Sequence, residues 1–342
     1  MRRRGRKNAV DAVVRTSATA PTDAPNRFIP GRMASLLLRT MTHQQIEDFI
    51  SAYQLPDKFF KLVEDHYSPL AEWLTKKRCP GRTFFLGING AQGTGKSTLA
   101  AYLQLVHEQG YDWRVAVLSI DDFYLTKSER TRLAEETHPL LATRGVPGTH
   151  DLQMLTDCIE RLRALQSNET MALPRFDKSL DDRANSDSWP TVSGPIDLLI
   201  LEGWCVGSMP QSKEALREAI NDLEEHQDTS GDWRLYVNEQ LDGPYAELFA
   251  RLDALVFLQA PNFDAIYRWR MEQEEKLARI SGHGAAGIMN REQITDFIQH
   301  YERITRANIA GLPETADVTF ELDDNHDCVR SRYLGDAPTS TK

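Results

Sequence analysis

The chain has 342 residues, 41% of them hydrophobic, enough to bury one sizeable core with at most a small helical appendage. Its net charge of −10 is uneven: residues 1–33 carry eight Lys/Arg against two Asp, so the remainder nets −16. A body that acidic argues against a nucleic-acid partner and makes its local basic clusters read as sites for small anions.

No apolar run reaches the ~18 residues of a membrane helix, and the basic N-terminus lacks an apolar stretch with a small-residue cleavage site, so no membrane partner is expected. Cys79, Cys158, Cys205 and Cys328 form no C-x-x-C pair. They read as buried free thiols in a reducing compartment, and a cytoplasmic location is expected. The oligomeric state leaves no signature.

Residues 1–33, rich in Arg, Ala, Thr and Pro, lack apolar periodicity and are expected to form a disordered tail. Met33 and Met41 stand just ahead of the first patterned segment, which favours a tail or a misplaced start over an Arg-rich presequence. From 42 to 77, Ile46, Phe49, Ile50 and Tyr53, then Phe59, Leu62, Val63, Leu70 and Leu74, recur at helical spacing on either side of Pro56. This predicts a helical prefix. The main domain is expected over 78–330, with 331–342 a flexible C-terminus.

Within that domain, short apolar runs predict strands at 83–89, 114–120, 196–201, 254–258 and 318–322. Helices are predicted at 96–109, 153–165, 212–226, 265–280 and 291–310. Buried strands alternating with helices place the chain in the α/β class, with a parallel sheet flanked by helices.

The turn after the first strand is Gly90-Ala91-Gln92-Gly93-Thr94-Gly95-Lys96-Ser97, an ungapped match to G-x-x-x-x-G-K-[ST]. Glycines let successive backbone N–H groups converge on phosphate oxygens, and the following helix adds its positive N-terminal end. Lys96 is suited to the β/γ-phosphates of ATP and Ser97 to Mg²⁺. Thr98 stands where a dinucleotide fingerprint begun at Gly93 requires its third glycine, which disfavours that alternative. Residues 90–98 are thus the expected nucleotide cradle of a P-loop NTPase fold.

Ligands of open parallel sheets bind beyond the carboxyl ends of the strands. Asp121-Asp122-Phe123-Tyr124 follows the second strand and Glu202-Gly203-Trp204 the third. Phosphoryl transfer to a hydroxyl uses a carboxylate to accept the proton and Mg²⁺ beside the transferred group. Asp121 is the candidate base, with Asp122 as the other member of the pair. Glu202, Ser97 and Asp122 are candidate metal-shell groups. The bland alternative for Asp121 and Asp122 is a turn or helix cap, and Trp204 reads as core packing.

Two loops carry charge without periodicity. Arg144-Gly-Val-Pro-Gly-Thr-His150-Asp151 precedes a helix that Asp151 is suited to cap. Leu173-Pro-Arg175-Phe-Asp177-Lys178-Ser179 runs on to Asp181-Asp182-Arg183. Arg144, His150, Arg175, Lys178 and Arg183 are candidate contacts for an anionic acceptor, against the ordinary reading of solvated loops. Arg268 and Arg270, ahead of the glycine-rich stretch 281–287, are candidate lid arginines, against simple i,i+4 pairing such as Arg270 with Glu274.

Taken together, GAQGTGKST, SIDDFYLT, RGVPGTHD, LPRFDKS followed by DDR, and LEGW resemble the plant-type D-glycerate 3-kinase family, itself related to uridine kinase, phosphoribulokinase and bacterial pantothenate kinase. The resemblance spans roughly residues 83–318. It implies a five-stranded parallel sheet of nucleoside-kinase strand order. It also implies Asp121 as base, Glu202 as the acid after the third strand and Arg268 and Arg270 as lid arginines. The implied function is ATP- and Mg²⁺-dependent phosphorylation of D-glycerate to 3-phosphoglycerate. Another small-molecule kinase (nucleoside, pantothenate-like or sugar acceptor) is the alternative, and a nucleotide-switched binding protein a more distant one.

Overall fold

The computed structural model describes residues 41–281 and 289–335; the expected tail over 1–33 lies outside them. Six strands form the main sheet: β1 (Phe84–Gly90), β2 (Val115–Ser119), β3 (Leu198–Gly203), β4 (Ala254–Gln259), β5 (Val318–Leu322) and β6 (Cys328–Tyr333). The order is β6-β5-β4-β1-β3-β2, parallel except for β6, which pairs antiparallel with β5. Five parallel strands match the expectation, and β6 is an addition to it. The flexible terminus predicted from 331 is corrected by that strand, because Ser331, Arg332 and Tyr333 pair with Phe320, Thr319 and Val318.

The nine helices of four residues or more that the argument uses are α1 (His43–Ala52), α2 (Ser68–Lys77), α3 (Lys96–Tyr111), α4 (Lys127–Glu136), α5 (Leu152–Ala164), α6 (Asp222–Gln227), α7 (Asp232–Gln240), α8 (Phe263–Ser281) and α9 (Arg291–Gly311). No helix among the described residues is long and apolar enough to cross a membrane.

Alternation along the buried strands divides the core into two layers. Phe84, Leu86 and Ile88 of β1, with Leu198 and Ile200 of β3, face one side; Phe85, Leu199 and Leu201 face the other. On the first side lie α3, α8 and the helical prefix. There Phe49, Phe59, Tyr67, Tyr102 and Phe320 form a chain of ring contacts, with centroids 5.6–6.0 Å apart. That cluster ties residues 42–77 to the sheet. A capping box starts α1: the Thr42 hydroxyl accepts from the Gln45 N–H, and the Gln45 side chain accepts from the Thr42 N–H.

The helix predicted over 212–226 is corrected: only Asp222–Gln227 is helical. Arg303 of α9 donates to the carbonyls of Ala215 and Glu218, and Arg234 of α7 to that of Leu216. Carbonyls that a helix would use internally are taken by two buried guanidinium groups, so the chain turns around them instead. Among the cysteines, Cys158 and Cys205 are buried, Cys328 is half-buried and Cys79 is exposed. The expectation of buried thiols is corrected at Cys79, which stands just ahead of a turn leading into β1.

Candidate active site

The carboxyl ends of β1, β3 and β2 lie side by side, with Glu202 in register with Ile88 on one side and Ser119 on the other. The chain leaves β1 towards α3 and β2 on one side and crosses to β4 on the other, so this edge is the switch point where ligands bind.

Residues 91–95 curl from β1 into α3. Gly93 has φ 86°, and a Cβ there would lie 3.0 Å from the Cβ of Trp269 on α8, so both the backbone and the neighbouring helix require glycine. Thr94 closes the loop by donating its hydroxyl to the Ala91 carbonyl at 2.8 Å.

Ser97, in the first turn of α3, donates its hydroxyl to Glu202 Oε1 at 3.0 Å. Glu202 is only 6% exposed, and its Oε2 is buried with no hydrogen-bond partner. A buried carboxylate oxygen without a donor is costly, and a divalent cation beside Ser97 would satisfy it. The residues present therefore fit Mg²⁺ at this edge.

Asp121 and Asp122 sit in a single 3₁₀ turn after β2, yet their environments diverge. The Tyr124 hydroxyl donates to Asp121 Oδ1 and the Lys178 ammonium to Oδ2, each at 2.7 Å. Burial pushes the Asp121 carboxyl up, but Lys178, Tyr124 and Lys96 outweigh it and hold the group well below the usual carboxylate range. For Asp122 burial prevails and raises the carboxyl to about 6, against the pull of Arg175 and the Phe176 N–H. Asp122 Oδ1 accepts from the Phe176 N–H at 3.1 Å, and its Oδ2 lies 3.3 Å from Arg175. It thus anchors the loop that carries Lys178.

The loop is a tight hairpin in which Phe176–Asp177 pairs with Asp182–Arg183. Asp177 Oδ1 accepts from the Ser179 and Leu180 N–H groups and so fixes the turn. Arg144 and Arg130 both pair with Asp181, Arg175 with Asp122, and Arg183 with Asp151, whose Oδ1 caps α5 through the Met154 N–H. The five residues expected to meet an anionic acceptor are brought together, but all four cations among them already hold a carboxylate.

The fifth, His150, is buried. Its ring stacks on Tyr124 with centroids 4.8 Å apart, its Nδ1 lies 2.6 Å from the Tyr245 hydroxyl, and its Nε2 has no partner. Burial lowers its pKa to about 4 despite the nearby Asp121, leaving a neutral imidazole at neutral pH. The preceding Gly145 has φ 136°, and a Cβ there would overlap the Tyr301 hydroxyl. Trp204, 3% exposed, donates its indole N–H to the Gly145 carbonyl at 2.9 Å. It braces the acceptor loop from within the core, as its sequence reading suggested.

On α8, Arg268 pairs with Asp324 in the turn between β5 and β6, and Arg270 with Glu274 one helical turn on. In this arrangement neither is hydrogen-bonded to the P-loop, although Trp269 between them packs against Gly93. Most of the glycine-rich stretch 281–287 lies outside the described residues. Sequence reasoning missed the roles of Tyr124, Tyr245, Arg130 and Asp181. Tyr124 was visible inside D-D-F-Y; Tyr245 meets His150 from 95 residues away and carries no local signal.

No protein-family model matches the chain. It is 33% identical over 252 residues to the uncharacterized kinase mug58 of Schizosaccharomyces pombe, covering 72% of this chain and 84% of that protein. It is 31% identical over 223 residues to the chloroplastic D-glycerate 3-kinase of Arabidopsis thaliana, covering 63% of this chain but 45% of the plant protein. A solved D-glycerate 3-kinase from Cryptococcus neoformans superposes with a TM-score of 0.65 at 27% identity, over 78% of this chain and 99% of that one. The chain is a P-loop kinase of small molecules, and it belongs to the family that includes these D-glycerate 3-kinases.

Proposed function

We propose that this kinase transfers the γ-phosphoryl group of ATP to the 3-hydroxyl of D-glycerate, giving 3-phosphoglycerate and ADP. One observation carries the reading: Lys178 of a cation-rich loop pairs with Asp121, at the same carboxyl edge of the sheet from which the P-loop leaves β1. The names of the Arabidopsis and Cryptococcus relatives favour D-glycerate over a nucleoside or sugar.

Lys96 and the backbone N–H groups of the P-loop hold the triphosphate. Ser97 and Glu202 would hold Mg²⁺, which would neutralise charge on the phosphates when bound. Lys178, the acceptor-loop cation paired with Asp121, takes the glycerate carboxylate, with Arg144 close by. Asp121 receives the proton of the 3-hydroxyl as its oxygen attacks the γ-phosphorus in line. Arg268 and Arg270 serve the transition state only after leaving Asp324 and Glu274.

The test is coupled ADP release with Mg²⁺–ATP, with and without D-glycerate, and NMR identification of the product. Strong stimulation with formation of 3-phosphoglycerate is expected. Stimulation only by a nucleoside, a pantothenate-like acid or a sugar would move the acceptor. No stimulation by any of them, together with a stable macromolecular complex, would favour the nucleotide-switched alternative. Glu202→Ala is expected to weaken Mg²⁺ binding to the enzyme–nucleotide complex by about 10–100-fold, measurable by Mg²⁺ titration of turnover.

A further inference from the structure

We infer that Lys178 is a carboxylate-operated gate on the base: it holds Asp121 until the carboxylate of the acceptor draws its ammonium away. The inference rests on the hydroxy-acid reading above and deepens it to a mechanism of selectivity.

Both oxygens of Asp121 are engaged, Oδ1 by the Tyr124 hydroxyl and Oδ2 by Lys178. Tyr124 is fixed, being 3% exposed and clamped between the rings of His150 and Phe176. Lys178 is not: its side chain is 58% exposed and it stands at the first tip position of the 176–183 hairpin. An ammonium on a flexible stem can exchange one carboxylate for another at small cost, whereas a planar guanidinium held by several acceptors cannot.

The other cations of the loop are committed to its architecture. Arg144 shares Asp181 with Arg130, Arg175 braces Asp122, and Arg183 braces the cap of α5. Of Arg144, Arg175, Lys178 and Arg183, only Lys178 is paired with the proposed base. Removing it from Oδ2 leaves that oxygen open to a hydroxyl at the position the ammonium occupied.

Three groups face the exchange besides Asp121: Arg144 repels Lys178, Glu202 attracts it, and Lys96 lies on the P-loop side of Asp121. An acceptor carboxylate arriving between Lys178 and Arg144 therefore meets positive charge on two sides. Water or a neutral polyol lacks the anion needed to displace Lys178 and meets a blocked base. In the productive case the acceptor O–H bond breaks, its proton goes to Asp121 Oδ2, the new O–P bond forms and the bridging oxygen leaves with ADP. No other reactant is required.

The test uses the full-length enzyme and reads inorganic phosphate released from Mg²⁺–ATP. D-Lactate has the carboxylate of D-glycerate but no 3-hydroxyl; glycerol has the hydroxyls but no carboxylate. In the wild type, D-lactate is expected to raise phosphate release about tenfold and glycerol to leave it unchanged. Lys178→Ala is expected to release phosphate without acceptor at about that raised rate, to lose the response to D-lactate, and to lose most of its preference for D-glycerate over glycerol. Lys178→Arg is expected to restore the low acceptor-free rate.

Equal stimulation by D-lactate and glycerol, or by neither, overturns the gate, and the wild-type comparison decides this even if the variants fold poorly. An unchanged acceptor-free rate in folded Lys178→Ala overturns it as well. Wild-type inactivity towards D-glycerate is a separate outcome that removes the acceptor assignment on which the gate stands.

Discussion

Asp121→Asn is expected to lower kcat about 10²–10⁴-fold, while Mg²⁺–ATP affinity stays within about twofold of wild type. The substitution is nearly isosteric, and the asparagine carbonyl still accepts from Tyr124, whose hydroxyl bond at 2.7 Å orients the side chain. What is lost is the oxygen that can carry a proton, together with the ion pair to Lys178. The phosphate cradle at 90–97 is built from backbone and from Lys96, so nucleotide binding has no reason to follow. Steady-state kinetics and calorimetric titration with a non-hydrolysable nucleotide separate the two effects. An Asn variant that keeps more than a tenth of wild-type kcat would dismiss Asp121 as base. The neighbouring Asp122→Asn is the control: Asp122 holds the Phe176 N–H and Arg175, so its loss loosens the acceptor loop and raises KM for the acceptor more than it lowers kcat.

The sheet and its phosphate edge were legible because parallel strands buried on both faces read as apolar runs, and because the P-loop constrains eight consecutive residues. Strand β5 was found at its full extent, 318–322, where Val318, Phe320 and Leu322 alternate with Thr319 and Glu321. Strand β6 was missed because Cys328–Tyr333 is an edge strand of mixed polarity, with Val329 mostly exposed. Helix α4 was also missed, although Thr126 and Glu129 form a capping box that local sequence could have flagged. The false helix over 212–221 has a different origin: local propensity favoured it, and long-range bonds from Arg234 and Arg303 overrode it.

The same division applies to the site. Residue types at strand ends pointed to Asp121 and Glu202, because their chemistry depends on place along one strand. Distinguishing Asp121 from Asp122 requires knowing that one faces Lys178 and the other Phe176, contacts that span 57 and 54 residues. Sequence spacing carries no such information. The pairing of Arg144, Arg175, Lys178 and Arg183 with individual carboxylates was likewise invisible, since a charge-rich loop reads the same whichever partners its charges choose.

Glu224→Ala is expected to cost about 3–5 kcal/mol of stability, because it leaves a guanidinium buried without its counter-ion. Glu224 is fully buried and Arg303 nearly so. The arginine donates Nε to one carboxylate oxygen at 2.7 Å and Nη2 to the other at 2.5 Å, a two-point pair. It also holds the Ala215 and Glu218 carbonyls, so the irregular segment between β3 and α6 depends on its position. Urea unfolding followed by fluorescence measures the loss, provided m is unchanged. A pair of hydrophobic replacements, Glu224→Leu with Arg303→Met, removes both charges and is expected to recover much of it, although the two carbonyls stay without their donor. The double variant separates the penalty of one stranded charge from the net value of the pair. If Glu224→Ala lowered stability by less than about 1 kcal/mol, water would have to reach Arg303, and the segment would have to be anchored by Arg234 and α7 instead. Two residues before Arg303 on α9, Tyr301 donates its hydroxyl to the Arg144 carbonyl. A stable but displaced α9 would therefore register as a raised acceptor KM with nucleotide affinity unaltered.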